Sequence, residues 1–182
     1  MFMKLLLHSC CAPCSGAIIE SLAKEGIRPV VFFSNSNIES RKEYDKRLAE
    51  LQRYCALFDI ELVDDIYDHE DWLSYIKGLE NEPERGGRCL KCFEYRLRRA
   101  ADFAARRGLD TLTTSLASSR WKSLEQVDKA GAAACTGYPS VEWWGRNWRK
   151  GGLQERRTEI VREQNFYNQD FCGCEFSHRN SD

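Results

Sequence analysis

Short apolar runs alternate with longer amphipathic stretches along this chain, and no other feature constrains its fold as strongly. The apolar runs cover residues 5–8, 29–34, 60–63, 110–115 and 141–144, and their length suits buried β-strands. Between them, apolar residues recur at helical spacing, as at Tyr44, Leu48, Leu51, Cys55 and Phe58. The alternation predicts an α/β fold, in which a parallel sheet is covered by helices on both faces.

The helical patterns and the chain length predict how the chain is organised. A helix opens at Ala12 and Pro13, further helices cover 44–58, 72–79, 89–107 and 124–134, and one more follows Gly151. A chain of 182 residues suits a single domain. Within it we expect an α/β core, 1–150, and a C-terminal segment, 151–182, with a helix and a Cys-x-Cys tail.

The sequence predicts a cytoplasmic protein with no membrane partner. No apolar run reaches the roughly 18–20 residues that span a bilayer. The stretch from Met1 to His8 lacks the charged, apolar and small-residue layout of a secretory signal, and we expect it to form the first strand. Nine cysteines are many for a reducing compartment, but their odd number and tight clustering argue against a secreted disulfide scaffold.

Seven of the nine cysteines fall into three groups: Cys10, Cys11 and Cys14; Cys89 and Cys92; Cys172 and Cys174. The other two, Cys55 and Cys135, stand alone in helical apolar patterns, and we interpret them as small core residues. The first group follows the first predicted strand, at the carboxyl end where parallel sheets bind ligands. The grouping therefore indicates a sulfur-based site.

Four thiolates are what a [4Fe-4S] cluster needs, and Cys10, Cys11, Cys89 and Cys92 can supply them. The strand-to-helix junction favours negative charge, and Arg85 and Arg88 beside Cys89 are expected to lower the pKa of these thiols further. A Cys₄ zinc site is the alternative. Cys14 is either a packed residue or a ligand of a second metal, such as an additional iron ion.

The Cys172-Gly173-Cys174 segment is a different feature. Its two sulfurs are close enough for a disulfide, but the small ring departs from relaxed geometry and would be easily reduced. A reversible dithiol couple next to an iron–sulfur cluster would be an electron relay. Two further metal ligands in a mobile tail are the alternative.

Charge is segregated along the chain although the net charge is only −1. Residues 59–84 are acidic, whereas residues 85–107 and 145–162 are rich in arginine and lysine. The basic runs predict RNA-binding patches at Arg96, Arg98 and Arg99 and at Arg146, Arg149, Lys150, Arg156 and Arg157. Trp143, Trp144 and Trp148 lie among the second set and could stack on a base, although at least two are expected in the core. Solvated helix faces are the alternative.

Three motifs in one order resemble the QueH family of epoxyqueuosine reductases. They are His8-Ser-Cys-Cys-Ala-Pro-Cys-Ser15, Gly87-Arg-Cys-Leu-Lys-Cys92 and Phe171-Cys-Gly-Cys-Glu-Phe-Ser177. Asn37, Glu43, Tyr44, Arg47, Thr113-Thr-Ser-Leu116, Lys122 and Arg149-Lys-x-Gly152 also fit the pattern of that family. Arg120, Trp148, Phe171 and Asn168 depart from it, which affects local substrate contacts and no metal ligand.

The resemblance implies a function and a fold. Members reduce epoxyqueuosine to queuosine at the wobble position of tRNA, without cobalamin and with a [4Fe-4S] cluster. It implies that Cys10, Cys11, Cys89 and Cys92 are cluster ligands and that Cys172 and Cys174 are the redox pair. It also implies a Rossmann-like fold akin to adenine nucleotide α-hydrolases.

Other roles follow from the resemblance and from the reaction it implies. Glu43 and Tyr44 are candidate proton donors, and His8 is a weaker candidate because a packed, hydrogen-bonded histidine is expected there. Substrate-binding candidates are Arg47, Lys122, Arg149 and Lys150. The expected partners are tRNA carrying epoxyqueuosine and an unidentified electron donor.

Two other functions compete with this prediction. A nucleotide-dependent tRNA-modifying enzyme of the same fold would need a glycine-rich phosphate loop after the first strand, where this chain has cysteines and Pro13 and no glycine before Gly16. A zinc-binding module that binds RNA without catalysis is the other alternative.

Overall fold

The computed structural model describes residues 3–178 and contains a sheet in which all neighbouring strands are parallel. The strands are β1 (Leu5–His8), β2 (Val30–Phe33), β3 (Leu62–Asp64), β4 (Thr111–Thr114) and β5 (Glu142–Trp143). The helices are α1 (Ala12–Lys24), α2 (Arg41–Ala56), α3 (His69–Tyr75), α4 (Gly87–Arg107), α5 (Leu124–Thr136) and α6 (Leu153–Glu163). The strand order β3-β2-β1-β4-β5 confirms the predicted α/β, Rossmann-like fold.

The strand β1 lies in the middle of the sheet because its residues are suited to burial on both faces. Leu5, Leu6 and Leu7 are each at most 1% exposed. Leu6 lies opposite Val30 of β2 on one side and Leu112 of β4 on the other. A run of apolar residues without polar alternation is what a strand covered on both faces requires. The core therefore surrounds β1, and the loop after β1 leaves from the centre of the sheet.

The chain changes the direction in which it adds strands at β1. It first adds β2 and β3 on one side, and after α4 it adds β4 and β5 on the other side. Because crossovers between parallel strands are right-handed, the helices before and after this change cover opposite faces. Accordingly α1 packs with α2 and α6, while α4 packs with α5. The crevice between the carboxyl ends of β1 and β4 is the position where such sheets bind ligands.

The helix α4 starts and ends close to its predicted bounds. It ends at Gly108, whose φ of 65° forms the left-handed cap that glycine favours. Its first two turns carry Cys89 and Cys92, and its later residues Ala100 and Ala104 are fully buried. The helix thus carries the second cysteine pair to the core. Among residues 3–178, no helix combines the length and the apolar character needed to cross a membrane.

The helix α3 begins earlier than predicted. It covers His69–Tyr75 rather than 72–79. The Asp68 side chain accepts a hydrogen bond from the Asp71 amide at 2.9 Å, so the helix is capped before its apolar residues begin. Its end precedes Gly78, whose φ of 89° is not helical. The prediction was wrong because it followed the apolar spacing and not the capping residue.

The helix α6 packs against α1 on the same side of the sheet. If Gly16 carried a Cβ atom, that atom would lie 3.1 Å from Cγ2 of Ile160. The two helices therefore approach each other closely at this glycine. Arg156 of α6 also pairs with Glu20 of α1 at 2.8 Å. The division into a core, 1–150, and a C-terminal segment, 151–182, stays a prediction.

The isolated cysteines Cys55 and Cys135 lie on α2 and α5 and are 1% and 8% exposed. Burial raises the pKa of both thiols, to about 12 and about 11. Inert, protonated thiols of this kind behave as small apolar side chains. The structure thus confirms that they are core residues.

Candidate metal centre

All seven clustered cysteines line one cavity of about 680 Å³ at the carboxyl ends of β1 and β4. They come from three distant parts of the chain: Cys10, Cys11, Cys14, Cys89, Cys92, Cys172 and Cys174. None of the nine cysteines of the chain forms a disulfide. The fold therefore gathers three separate sequence motifs into a single sulfur-lined cavity.

The first group of thiols is tightly clustered at the junction of β1 and α1. The Sγ atoms of Cys10, Cys11 and Cys14 all lie within 4.8 Å of one another. The Cys10 amide donates a hydrogen bond to Ser115 Oγ at 3.0 Å, which ties the group to the end of β4. Ser118 donates a hydrogen bond to the Cys14 carbonyl at 3.0 Å. The group is therefore held by both central strands before any metal binds.

Cys11 and Cys14 of this group have pKa values shifted in opposite directions. Hydrogen bonds with Cys10 and Cys11 lower the pKa of Cys14, and the nearby charges of Lys122 and Arg157 lower it further. Hydrogen bonds with Cys10 and Cys14, together with burial, raise the pKa of Cys11. A thiolate on Cys14 is thus favoured by sulfur neighbours and by two cations at once. Thiolates are the form in which cysteine binds metals.

The second pair, Cys89 and Cys92, lies on the first two turns of α4. The Arg85 amide donates a hydrogen bond to Cys89 Sγ at 3.3 Å. Burial nevertheless raises the pKa of Cys89, and it raises the pKa of Cys92 to about 11. The Arg85 amide and the Arg88 charge lower the pKa of Cys89, in the predicted direction, but desolvation outweighs them.

The side chains of Arg85 and Arg88 also hold two loops in place through hydrogen bonds to their carbonyl groups. The Arg85 guanidinium donates hydrogen bonds to the carbonyls of Arg120 and Trp121 at 2.8 and 3.0 Å. The Arg88 guanidinium donates hydrogen bonds to the carbonyls of Glu80 and Glu82. These bonds fix the two loops that border the cavity beside α4.

The third pair belongs to the C-terminal segment. The Cys172 side chain is exposed and Cys174 is buried. Arg47 of α2 donates hydrogen bonds to the carbonyls of Cys172 and Phe171 at 3.0 and 3.4 Å. Gly173 between the cysteines has a φ of 135°, which side-chain-bearing residues rarely adopt, and its carbonyl accepts a hydrogen bond from the Glu39 amide. Polar contacts from α2 and from the loop before it thus hold the tail over the cavity.

A family model described as Epoxyqueuosine reductase QueH matches residues 5–180. The chain belongs to the QueH family. Proteins named Epoxyqueuosine reductase QueH from Acinetobacter baylyi and Haemophilus influenzae are 45% and 44% identical over 98% of this chain, which covers 82% and 73% of their lengths. The protein of that name from Thermotoga maritima is 30% identical over 95% of this chain and 89% of its own length.

The candidate proton donors of this QueH family member lie outside the cavity lining. The Tyr44 hydroxyl donates a hydrogen bond to the Asp64 carboxylate, and burial raises the pKa of Tyr44. Glu43 pairs with Arg47 at 2.7 Å. Neither Glu43 nor Tyr44 contributes to the cavity wall in the described part of the chain. Their catalytic role stays a prediction, and this placement does not favour it.

The histidine before the first cysteine group is packed and hydrogen-bonded, as expected. Its ring nitrogens lie 2.8 Å from Thr114 Oγ1 and 3.0 Å from the Ser34 carbonyl. Burial, with the charge of Arg96, lowers the pKa of His8 to about 3. A neutral His8 with both nitrogens engaged supports the end of β1 and has no proton to spare.

The candidate substrate-binding residues occupy different positions. Lys122 lines the cavity, and although burial alone would lower its pKa, the Cys172, Cys10 and Cys14 thiols raise it. Arg149 donates hydrogen bonds to the carbonyls of Ser119 and Lys122 at 2.6 and 2.8 Å, so it supports the loop that carries Lys122. Arg47 holds the tail. The remaining candidate, Lys150, is exposed.

The prediction of an RNA-binding patch on α4 was wrong for Arg96. Arg96 is 1% exposed, whereas Arg98 is exposed and Arg99 pairs with Asp65 at 2.6 Å. Arg96 follows Cys92 by four residues, and residues four apart share one helix face, so it points to the same side as the cysteine. That spacing is visible in the sequence and could have revealed its burial.

Two arginines of the second predicted RNA patch are engaged by other side chains of the protein. Arg156 pairs with three carboxylates, those of Glu20, Glu159 and Glu163, and Arg146 lies over the Trp148 ring. Trp148 is fully buried, and Trp143 and Trp144 are partly buried against the core. Of the two or more tryptophans expected in the core, only Trp148 is fully buried there, and the other two pack against the core from its edge.

Proposed function

We propose that this chain reduces epoxyqueuosine in tRNA to queuosine, as the names of its relatives indicate for them. The observation that carries the proposal is the convergence of all seven clustered cysteines on one cavity in a QueH family member. Removing the epoxide oxygen requires two electrons and two protons and yields an alkene and water. A sulfur-lined cavity in a cytoplasmic, tRNA-modifying oxidoreductase fits that chemistry.

The donor set fits a [4Fe-4S] cluster held by Cys10, Cys11, Cys89 and Cys92. A cluster of this kind needs four thiolates. These four thiols come from two distant parts of the sequence and line the same cavity. Cys14 lies within 4.8 Å of Cys10 and Cys11, so a fifth sulfur remains for an additional iron ion. When bound, such a cluster supplies single electrons without cobalamin, and a further iron would act as a Lewis acid.

The dithiol of the tail can supply the electrons and protons that the reaction consumes. Oxidation of Cys172 and Cys174 to a disulfide releases two electrons and two protons, which is what the epoxide takes up when its oxygen leaves as water. Cys174 keeps its proton at neutral pH because burial raises its pKa to about 12. Cys172 is exposed, so the unidentified electron donor can reach it and restore the dithiol.

Lys122 is the residue we propose to contact the epoxide oxygen. It lines, as an ammonium group, the same cavity as Cys10, Cys14 and Cys172, whose charges raise its pKa although burial lowers it. Within the described chain no carboxylate lies within ion-pairing distance of it, so its protons are available to a substrate oxygen. An ammonium in this position can hold the oxygen and donate a proton as the carbon–oxygen bond breaks.

The mouth of the cavity offers contacts for tRNA. Arg120 is exposed there and lies over the ring of Trp121, which is 53% exposed. An aromatic ring with a neighbouring guanidinium suits an unstacked base and its phosphate. We propose this rim, with the exposed Lys150, as the surface that meets the anticodon.

The decisive experiment is mass analysis of epoxyqueuosine-containing tRNA after anaerobic incubation with the reconstituted protein and a reductant. We expect the modified nucleoside to lose one oxygen atom. The Cys89→Ser variant should leave it unchanged, and the Cys135→Ala variant should act like the natural chain. An unchanged nucleoside with protein that carries a full cluster would refute the proposed reaction.

A zinc module that only binds RNA is the second candidate, because three thiols within 4.8 Å of one another also suit zinc. Metal analysis after anaerobic purification separates the two. Iron and inorganic sulfide in a brown protein support the first candidate, and zinc in a colourless protein supports the second. A nucleotide-dependent enzyme finds less support, since the start of α1 offers thiols and Pro13 where a phosphate would need repeated amide donors.

A further inference from the structure

Arg96 is a buried cation whose surroundings contain no matching anion. Its side chain lies on α4, one turn after Cys92, and is 1% exposed. Its guanidinium donates hydrogen bonds to Asn35 Oδ1 and to the Ser34 carbonyl, and Nη1 lies 4.0 Å from Cys92 Sγ. The first two acceptors are neutral, so they orient the guanidinium without balancing its charge.

No carboxylate in residues 3–178 lies within ion-pairing distance of Arg96. Asp65, which directly follows β3, accepts hydrogen bonds from Nε and Nη2 of Arg99 at 2.6 and 2.9 Å. The nearby His8 is neutral. A buried charge without a partner is strongly destabilising, so proteins rarely keep one unless an anion joins it.

The groups that can supply this anion are sulfurs. Nη1 of Arg96 lies 4.0 Å from Cys92 Sγ, and Arg96 lines the same cavity as Cys10 and Cys172. Two of these residues, Cys92 and Cys10, come from different halves of the proposed cluster site. The guanidinium thus contacts one part of the sulfur site and shares the cavity with the other.

We propose that Arg96 is the buried counter-cation of an anionic sulfur centre built on Cys10 and Cys92, and that its charge raises the reduction potential of that centre. This proposal rests on the proposed cluster site and not on the epoxide reaction. Reduction adds a negative charge to the centre, and a fixed positive charge close by stabilises the reduced state more than the oxidised one. Arg96 is therefore a positioning and tuning residue.

The test compares Arg96→Met, Arg96→Lys and the control Arg98→Met in the reconstituted full-length chain. Arg98 lies two residues further along α4, is exposed and stays outside the cavity wall in the described chain. Anaerobic redox titration should give Arg96→Met a midpoint potential lower by about 59 mV or more, which is about tenfold in the equilibrium constant of a one-electron couple. Arg96→Lys should recover much of the shift, and Arg98→Met should show none.

An Arg96→Met potential equal to that of the natural chain would overturn the proposal. Should this variant fail to accept a cluster, anaerobic titration of the metal-free proteins with Cd²⁺ replaces the measurement. We then expect about tenfold weaker Cd²⁺ binding in Arg96→Met, because the metal–thiolate centre loses its counter-cation, and equal affinity would overturn the proposal. Loss of the hydrogen bonds to Ser34 and Asn35 affects the metal-free and loaded forms alike and largely cancels in this comparison.

These outcomes are separate from those of the proposed reaction. A shifted potential in a protein that leaves epoxyqueuosine unchanged would retain the role of Arg96 and refute the proposed reaction. An active enzyme whose reduction potential does not change in Arg96→Met would support the proposed reaction and refute the role of Arg96.

Discussion

The cavity is built from two regions that are held in different ways. The inner wall consists of Cys10, Cys11 and Cys14 after β1 and Cys89 and Cys92 on α4, all on elements packed into the core. The tail, residues 164–178, carries Cys172 and Cys174 after α6 and has only a short 3₁₀ turn, Glu175–Ser177, of regular structure. Hydrogen bonds from Arg47 of α2 hold its Phe171 and Cys172 carbonyls, and Cys174 packs with Cys92 in a second apolar cluster.

The difference teaches how one fold can serve two demands. A metal centre needs ligands whose positions are fixed before the metal binds, and packed elements provide this. A dithiol that is reduced by an outside donor needs one sulfur that the donor can reach. Cys172 is exposed, whereas the five cysteines of the inner wall are buried or half-buried. Metal binding and electron delivery should therefore respond separately to mutation.

The largest expected effect is the loss of the metal centre in Cys89→Ser. Serine is a poor ligand for iron–sulfur clusters, so the reconstituted variant should lose the brown chromophore and nearly all bound iron. Cys135→Ala, which removes a buried thiol of α5, is the matched control and should keep both. Iron and sulfide analysis with an absorption spectrum measures the result. A cluster that survives intact would remove Cys89 from the ligand set.

The second prediction sharpens the contrast with the tail. Cys172→Ser should keep the chromophore and the bound iron but show no measurable multiple turnover on epoxyqueuosine tRNA, because the dithiol couple cannot form. Iron content and nucleoside mass analysis of the same sample give both readouts. Full activity of this variant would take the tail couple out of the mechanism, and loss of iron would make Cys172 a metal ligand instead.

The third prediction concerns Arg47 and distinguishes a role in positioning the tail from a role in binding the substrate. If its hydrogen bonds to Cys172 and Phe171 position the tail, Arg47→Met should lower kcat by about tenfold, a loss of about 1.4 kcal/mol. Amide hydrogen exchange of residues 166–178 should become faster, and the chromophore should remain. Lys42→Met, an exposed cation on the same helix, is the control.

The same measurement tests the substrate-binding role predicted for Arg47 from the family resemblance. That role predicts a higher KM for tRNA, with unchanged kcat and unchanged hydrogen exchange of the tail. A result of this kind would contradict the positioning role.

The smallest expected effect concerns the rim outside both regions. Lys150→Glu should weaken tRNA binding a few-fold and should reduce the salt dependence of binding by about one charge or slightly more. Iron content should not change, and Lys42→Glu should bind tRNA normally. Affinity measured at several salt concentrations checks this, and unchanged binding would place the RNA elsewhere. Lys150 is a cleaner probe than Arg149, whose guanidinium supports the loop before Lys122.

Much of the fold followed from local patterns, and the failures have local causes. The strands and α4 were predicted because apolar runs and helical spacing report burial directly. The start of α3 was missed because one capping side chain, Asp68, overrode the apolar pattern. Arg96 was placed on the polar side because arginine is rarely buried, although its spacing from Cys92 pointed inward.

The sequence by itself determined the α/β alternation, the family and the identity of the seven clustered cysteines. These properties are local or depend on motifs, so they survive without knowledge of distances. Only the tertiary structure decided that the three groups share one cavity, that Arg47 holds the tail and that Arg96 is buried beside Cys92. Such facts depend on which strand order the chain adopts and which helix faces turn inward, because contacts between residues far apart in the chain exist only once the core is packed.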